Sequence, residues 1–267
     1  MDLFFRKIGE GASVIILHGL YGASDNWLSV GNALSTYFEV FLIDQRNHGQ
    51  SPHSDKHEYP EMANDLLQFM NSQSIEKAII IGHSMGGKTA MLFSLLHPER
   101  VSRLIIVDIA PKSYALINES RSINHHKIIH AMLSLNLNEI TSREEAEKEL
   151  LINLNDERLV KFLSKNLHRT KENKFAWRLN LNAIQTNFNH ILANIIEIAS
   201  IKKEPITGFP VLFIKGGNSD YITDTDKVEI LSIFPYADFI TIPNAGHWLH
   251  AEKQDIFLKK VNDFIFE

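Results

Sequence analysis

The sequence predicts an α/β protein: a doubly wound, mostly parallel sheet that carries a helical insertion. Three observations predict it. Short, nearly unbroken apolar runs recur along the chain, as in strands buried on both faces of a parallel sheet. Helical patterns lie between several of them, which is the alternation of crossover units. That rhythm stops over residues 111–204, where no clear buried strand is visible.

Residues 2–8 alternate weakly and read as an edge strand. The buried runs are SVIIL (13–17), EVFLID (39–44), AIIIG (78–82), RLIIVD (103–108), PVLFIK (210–215) and DFITI (238–242). PEMANDLLQFMNSQ (60–73) opens with Pro60 and Glu61, both suited to a first helical turn. MGGKTAMLFSLLHP (85–98) is a helix stopped by Pro98. REEAEKELLINL (143–154) and FAWRLNLNAIQTNFNHILANI (175–195) read as helices of the insertion, and DIFLKKVNDFIF (255–266) as a closing amphipathic helix. The expected organisation is a core of residues 1–110 and 205–267 with a helical cap of residues 111–204. An insertion after the carboxyl end of a strand lies over the crevice where such sheets bind ligands. It is therefore a candidate lid.

Composition narrows the chemistry. The chain has 267 residues, 44% of them hydrophobic, which suits one large domain with an insertion. A formal net charge of −5 gives no sign of a nucleic-acid partner. With no cysteine, disulfides, thiolate nucleophiles, iron–sulfur clusters and cysteine zinc sites are excluded. The N-terminus lacks a signal-peptide apolar run, and no stretch approaches the length of a membrane span. The expectation is a soluble cytoplasmic protein without membrane insertion, as a monomer or a dimer.

One stretch, IIIGHSMGGKT (79–89), fits two catalytic patterns at once. As G-x-S-x-G (Gly82, Ser84, Gly86) it is a nucleophile elbow. As G-x-x-x-x-G-K-T (Gly82, Gly87, Lys88, Thr89) it is a phosphate-binding loop, with Asp108 as a candidate acidic partner. Distant residues favour the elbow. LHGLYG (17–22) comes after the second apparent strand, where a glycine-rich turn can aim a backbone N–H at a developing oxyanion. AGHW (245–248) places His247 in a loop before the last helix. A carboxylate that could orient it ends an upstream strand, so the order is nucleophile, acid, histidine. A phosphate loop also usually comes after the first strand of its domain, and several strands precede this one. On the elbow reading the Met85 N–H is left free at a helix N-terminus to stabilise negative charge.

Other residues have plainer readings. His18 and His83 flank the reactive turns and support them by hydrogen bonds. His48 shapes its loop, and Asp44 anchors one. His125, His126 and His130 have a metal-like spacing, but no H-E-x-x-H pattern completes it. No metal and no cofactor are expected. Phe175, Trp177 and Phe188 read as cap core and equally as candidates for lining the pocket from above. Trp248 packs near His247. REEAEKE is a solvated helix face.

Six segments carry a resemblance: VIILHGLYGASDNW, FLIDQRNHGQSP, IIGHSMGGKTAM, LIIVDIAPKSY, FIKGGNS and IPNAGHWLHAEKQ. Over nearly the whole chain these resemble α/β-hydrolase fold proteins, and more narrowly the YbfF-type esterases, related to abhydrolase-domain-11 proteins. The resemblance implies an eight-stranded or trimmed sheet, a helical cap and cofactor-free hydrolysis of esters or acyl-CoA-type thioesters through an acyl-enzyme. Carried over, Ser84 is the nucleophile and His247 the general base, with the N–H groups of Leu20 and Met85 as oxyanion hole. Fold-wide, the acid commonly comes after the strand beyond the cap, which offers Asp220. In the narrower group it comes after the preceding strand, which makes Asp108 the preferred acid and Asp220 the alternative. Ser219 is then an extra polar contact to the site. His18, Ser219, Trp248 and Trp177 are the candidate substrate-binding residues. The rival readings are a C–C hydrolase or lyase on the same triad, a non-catalytic binding protein of this fold, and a P-loop NTPase.

Overall fold

The computed structural model describes residues 1–115, 125–199 and 204–267. The chain begins β1 (Phe5–Ile8), β2 (Ala12–Leu17), α1 (Leu28–Leu34), β3 (Phe38–Ile43), α2 (Tyr59–Ser72), β4 (Ala78–His83), α3 (Met85–Leu96) and β5 (Val101–Val107). The insertion holds α4 (His125–Leu133), α5 (Arg143–Leu154), α6 (Glu157–Ser164), β6 (Leu167–Arg169), β7 (Phe175–Trp177), α7 (Leu181–Thr186), α8 (Phe188–Leu192) and α9 (Ile195–Ala199). The chain then returns as β8 (Val211–Gly216), α10 (Asp226–Ile233), β9 (Ala237–Ile242), α11 (Leu249–Glu252) and α12 (Gln254–Phe266).

All seven strands expected from the sequence belong to one sheet, ordered β1-β3-β2-β4-β5-β8-β9. Only β1 runs antiparallel, along β3. Successive side chains on a strand point to opposite faces, and here both faces are covered. Ile15, Leu17 and Ile80 point into one apolar layer with Phe69 and Met70 of α2 and Met91 and Phe93 of α3. Val14, Ile16 and Ile81 point into the other with Trp27, Leu34 of α1, and Phe257 and Val261 of α12. This double burial is why the strands read as unbroken apolar runs. The central strands β2, β4 and β5 end together at the carboxyl edge, so Leu17, Gly82 and Ile106 lie side by side. The loops leaving that edge build the site.

The insertion has an apolar cluster of its own, including Ile128, Met132, Leu150, Leu163, Leu167 and Ile184. One expectation is corrected here. Residues 175–195 are not a single helix: Phe175–Trp177 form β7, paired antiparallel with β6, with Leu167 opposite Trp177. Asparagines break the rest of that stretch into short helices. The Asn180 side chain caps α7 by accepting the Ala183 N–H at 3.2 Å. Asn187, at the end of α7, donates to Ala183 O at 2.8 Å. Asparagine competes for backbone partners in this way and favours helix ends over helix interiors. Two backbone bonds join the outgoing and returning chains at the neck of the insertion: Tyr114 N–H to Leu192 O at 2.8 Å, and Ile195 N–H to Pro111 O at 3.1 Å. Among the described residues no helix is long and apolar enough to cross a membrane.

Candidate active site

Ser84 occupies the tight turn between β4 and α3, with φ of +53°. A non-glycine residue in that region is strained and persists only where its surroundings over-determine it. The turn is possible because its flanks are bare. A Cβ on Gly82 would lie 2.4 Å from Gly86 O, and one on Gly86 2.4 Å from Leu17 O. The Ser84 N–H is fixed to Val107 O at 3.1 Å. Helix α3 starts at the next residue, so its N-terminus faces the site. Among the described residues the Met85 and Leu20 N–H groups have no acceptor.

Leu20 is presented by the loop after β2, which two buried histidines hold. Gln45 N–H donates to His18 Nε2 at 3.0 Å. The ring proton is therefore on Nδ1, which donates to Gly19 O at 2.8 Å. Tyr21 N–H likewise donates to His48 Nε2 at 3.1 Å, leaving His48 Nδ1–H to donate to Arg46 O at 3.0 Å. Burial pushes both imidazoles down: His18 against the opposing pull of Asp44, and His48 further, with help from His18 and His57. Asp44 accepts Ser24 N–H at 2.6 Å and Gln50 N–H at 2.8 Å, and so ties two loops together.

His247 lies in the loop between β9 and α11. Its Nδ1 donates to Asp108 Oδ2 at 2.8 Å. Asp108 comes directly after β5, with φ of +52°, and is fully buried. Its Oδ1 accepts Gly216 N–H at 3.0 Å, and Ser219 donates a short hydroxyl bond to Oδ2. The two candidate acids are thus placed differently: Asp108 bonds the imidazole, whereas Asp220 is exposed. The Tyr221 ring stacks on His247 with centroids 3.8 Å apart. On the other side His83 Nε2–H donates to His247 O at 2.8 Å. Burial holds His83 well below the usual imidazole range, reinforced by His247 and His250. His250 is pushed down to about 3 by burial and by His247, and stacks on Trp27 at 4.0 Å. The imidazoles packed around His247 therefore stay neutral.

Two cavities meet at Ser84. One, of about 30 Å³, is lined by His18, Leu20, Ser84, His247, Trp248 and Phe162 among others. The other, of about 50 Å³, is mainly apolar and is lined by residues that include Met85, Lys88, Phe188, Ile191, Leu192 and Tyr221. His18 and Trp248 thus line the cavity that holds Ser84 and His247. Trp177 does not: its indole donates to Met132 O at 3.2 Å within the apolar cluster of the insertion, because β7 turns it inward. Ser219 lines neither of these cavities; its hydroxyl is taken by the acid. Among the described residues no group of three metal-ligating side chains is present. The phosphate-loop spelling is occupied internally: the Lys88 ammonium bonds backbone carbonyls, and the Thr89 hydroxyl donates to Met85 O at 3.1 Å.

The sequence reading missed Tyr221, His125 and Lys88 as cavity residues. For Lys88 a signal existed. It stands one turn after Ser84, on the face the elbow presents. Tyr221 and His125 have no local signal, because the fold brings them in from remote segments, the loop after β8 and the start of α4.

The α/β-hydrolase fold family model matches residues 12–254. The chain belongs to this family. It is 33% identical over 256 residues to Esterase YbfF of Escherichia coli, covering 96% of this chain and 94% of that one. It is 35% identical over 259 residues to the sn-1-specific diacylglycerol lipase ABHD11 of Mus musculus, covering 95% of this chain and 80% of that one. Among solved structures, one titled marine microorganism esterase matches with a TM-score of 0.94 at 46% identity, over 98% of this chain and 99% of that one. Among the described residues the sheet of this α/β-hydrolase has seven strands.

Proposed function

We infer that the chain is a carboxylesterase-type serine hydrolase acting on small-molecule esters through an acyl-enzyme. Near end-to-end similarity to an esterase and a lipase supports the reaction class. The observation that carries the mechanism is the 2.8 Å bond from His247 Nδ1 to the buried Asp108, with Ser84 lining the same cavity as His247.

On this reading Ser84 Oγ attacks the ester carbonyl while His247 Nε2 takes its proton. Asp108 orients the imidazole and stabilises its charged form. The free N–H groups of Leu20 and Met85, backed by the N-terminus of α3, receive the developing oxyanion. His247 then returns the proton to the leaving alcohol. Water cleaves the acyl-enzyme with His247 again as base. Thioesters yield to the same steps. The apolar cavity takes the acyl group, the histidine-lined cavity takes the leaving group, and the insertion serves as lid.

The test is a panel of p-nitrophenyl esters and acyl-CoA thioesters of graded length, run on the native chain and on Ser84→Ala. Ser84→Ala should lower kcat by about 10⁴- to 10⁶-fold. Full turnover in that variant would overturn the assignment.

A further inference from the structure

We propose that Lys88 is a positioning residue that clasps the neck of the insertion to the nucleophile helix and so limits the site to short acyl groups. The proposal rests on the reading of the apolar cavity as the acyl site.

Lys88 is 1% exposed and plays no part in the mechanism above. Its ammonium donates to Lys112 O at 2.8 Å, to Ala193 O at 2.7 Å and, more weakly, to Leu192 O at 3.5 Å. Lys112 is on the outgoing chain of the neck, and Leu192 and Ala193 are on the returning one. Burial pushes the Lys88 ammonium down to about 7, against the pull of Glu229. Its Nζ lies 4.7 Å from the centre of the Tyr114 ring and 5.7 Å from that of Tyr59, an arrangement that favours the charged form. The acids nearby have other partners: Asp226 takes Lys112 at 2.7 Å, and Glu229 takes Asn194 at 3.1 Å. Leu192 O also takes the Tyr114 N–H, but among the described residues Lys112 O and Ala193 O take no other donor, and no apolar side chain could satisfy them.

The consequence is geometric. Lys88 rises from α3 one turn after Ser84, so the clasp fixes the distance from the nucleophile to the neck. The chain it grips is also a wall of the apolar cavity: Tyr114, Ile191 and Leu192 line it. Tyr59 braces the same wall, its hydroxyl donating to Ile191 O at 2.8 Å. The cavity is small, about 50 Å³, and its mainly apolar walls suit a short acyl chain. Lengthening the pocket requires Ile191 and Leu192 to move outward, which the clasp prevents.

The experiment compares the native chain, Lys88→Met and Ile191→Ala on p-nitrophenyl acetate, butyrate and octanoate. Amide hydrogen exchange over residues 111–115 and 188–195 is measured in the same proteins without substrate. The native chain should favour acetate and butyrate over octanoate. Lys88→Met should shift the octanoate-to-acetate ratio of kcat/KM at least 10-fold towards octanoate, mainly through KM, and exchange at the neck should rise. Ile191→Ala should shift the ratio the same way with the clasp intact and with less change in exchange. Because Ile191→Ala keeps the lysine, it tests the wall even if Lys88→Met does not fold, and an unchanged ratio there overturns the length limit. Equal losses on all three esters in Lys88→Met, with native exchange at the neck, overturn the clasp. If the native chain hydrolyses no ester, the functional reading fails, and the substrate-free exchange still judges the clasp separately.

Discussion

The two walls of this site are built by opposite means. The wall from the sheet is over-determined. Tyr21, Ser84 and Asp108 all stand at positive φ, between +52° and +62°, each a strain of about 1–3 kcal/mol. Each is pinned by bonds from several directions, and neutral imidazoles fill the space behind them. The wall from the insertion is made of short helices that present Phe188, Ile191 and Leu192. Besides Lys88, asparagines hang it on the sheet side. Asn166 donates to Tyr21 O at 2.9 Å, Asn180 N–H to Asn47 O at 3.0 Å, and Asn187 to Asp55 O at 2.7 Å. The difference teaches a division of labour. A frame that stores strain holds the reacting groups, and a wall hung by few bonds shapes the substrate. Damage to the first should appear in kcat, and damage to the second in KM and in chain-length preference.

The largest test of that division is the acid. Asp108→Asn should lower kcat by about 10⁴-fold, because the imidazole loses both its orientation and its counter-charge. Asp220→Asn, at an exposed position, should leave kcat within about twofold, as surface substitutions commonly do. Steady-state kinetics on one short ester decides it. A large loss at Asp220 with none at Asp108 would move the acid to the other strand end.

The next effect is on stability, and most of it resides in the sheet-side wall. Burial drives His57 down to about 3, aided by Arg46 and His18, and drives His125 and His250 to about 3 as well. An unfolded histidine titrates near 6.5. Below that pH the unfolded chain binds protons that the folded chain refuses, so stability is fully present above about 6.5 and is lost as pH falls toward 3. Each of the three histidines contributes up to about 1.4 kcal/mol per pH unit in that window. Against a typical stability of about 5–15 kcal/mol, unfolding should set in between about pH 4 and 5. Most of the depressed histidines (His18, His48, His57, His83 and His250) belong to the sheet side, so activity and far-UV circular dichroism should fall together. A protein that keeps its ellipticity at pH 3 would break this account.

Legibility in the sequence divides along the same line. The inner strands were legible because burial on both faces leaves a mark in each run, whereas β1 showed only as weak alternation and β9, at the other edge, is only partly buried. The elbow was legible because the steric demand on Gly82 and Gly86 is local. The choice between Asp108 and Asp220 was not, since both stand after strand ends and only the path of the 245–248 loop brings one to the imidazole. The insertion was harder. Phe175, Trp177 and Leu181 fit a helical stripe as well as a hairpin, and Asn180 and Asn187 read as ordinary polar residues until their partners at Ala183 and Asp55 are seen. Trp177 reads both as cap core and as a candidate for the pocket, and it is the core that it joins. Ser219 was expected at the substrate and bonds the acid.

The smallest effect is the most discriminating, because it touches the insertion wall far from Ser84. Asn187 commits both amide protons to backbone carbonyls, Asp55 O in a part-buried bond and Ala183 O in a buried one. Asn187→Ala removes both bonds, while Ala183 O keeps the Asn187 backbone N–H, at a cost of about 1–2 kcal/mol, or a fall in melting temperature of a few degrees for a chain of this size. The hinge between α7 and α8 loosens while Ser84, His247 and Asp108 keep every contact they have. KM for short esters should therefore rise several-fold with kcat nearly unchanged, the reverse of Asp108→Asn. If Asn187→Ala instead lowers kcat and leaves KM alone, the insertion takes part in aligning the reacting groups. The two walls would then be one mechanical unit, and the strain in the sheet-side turns would be held in part by the wall opposite.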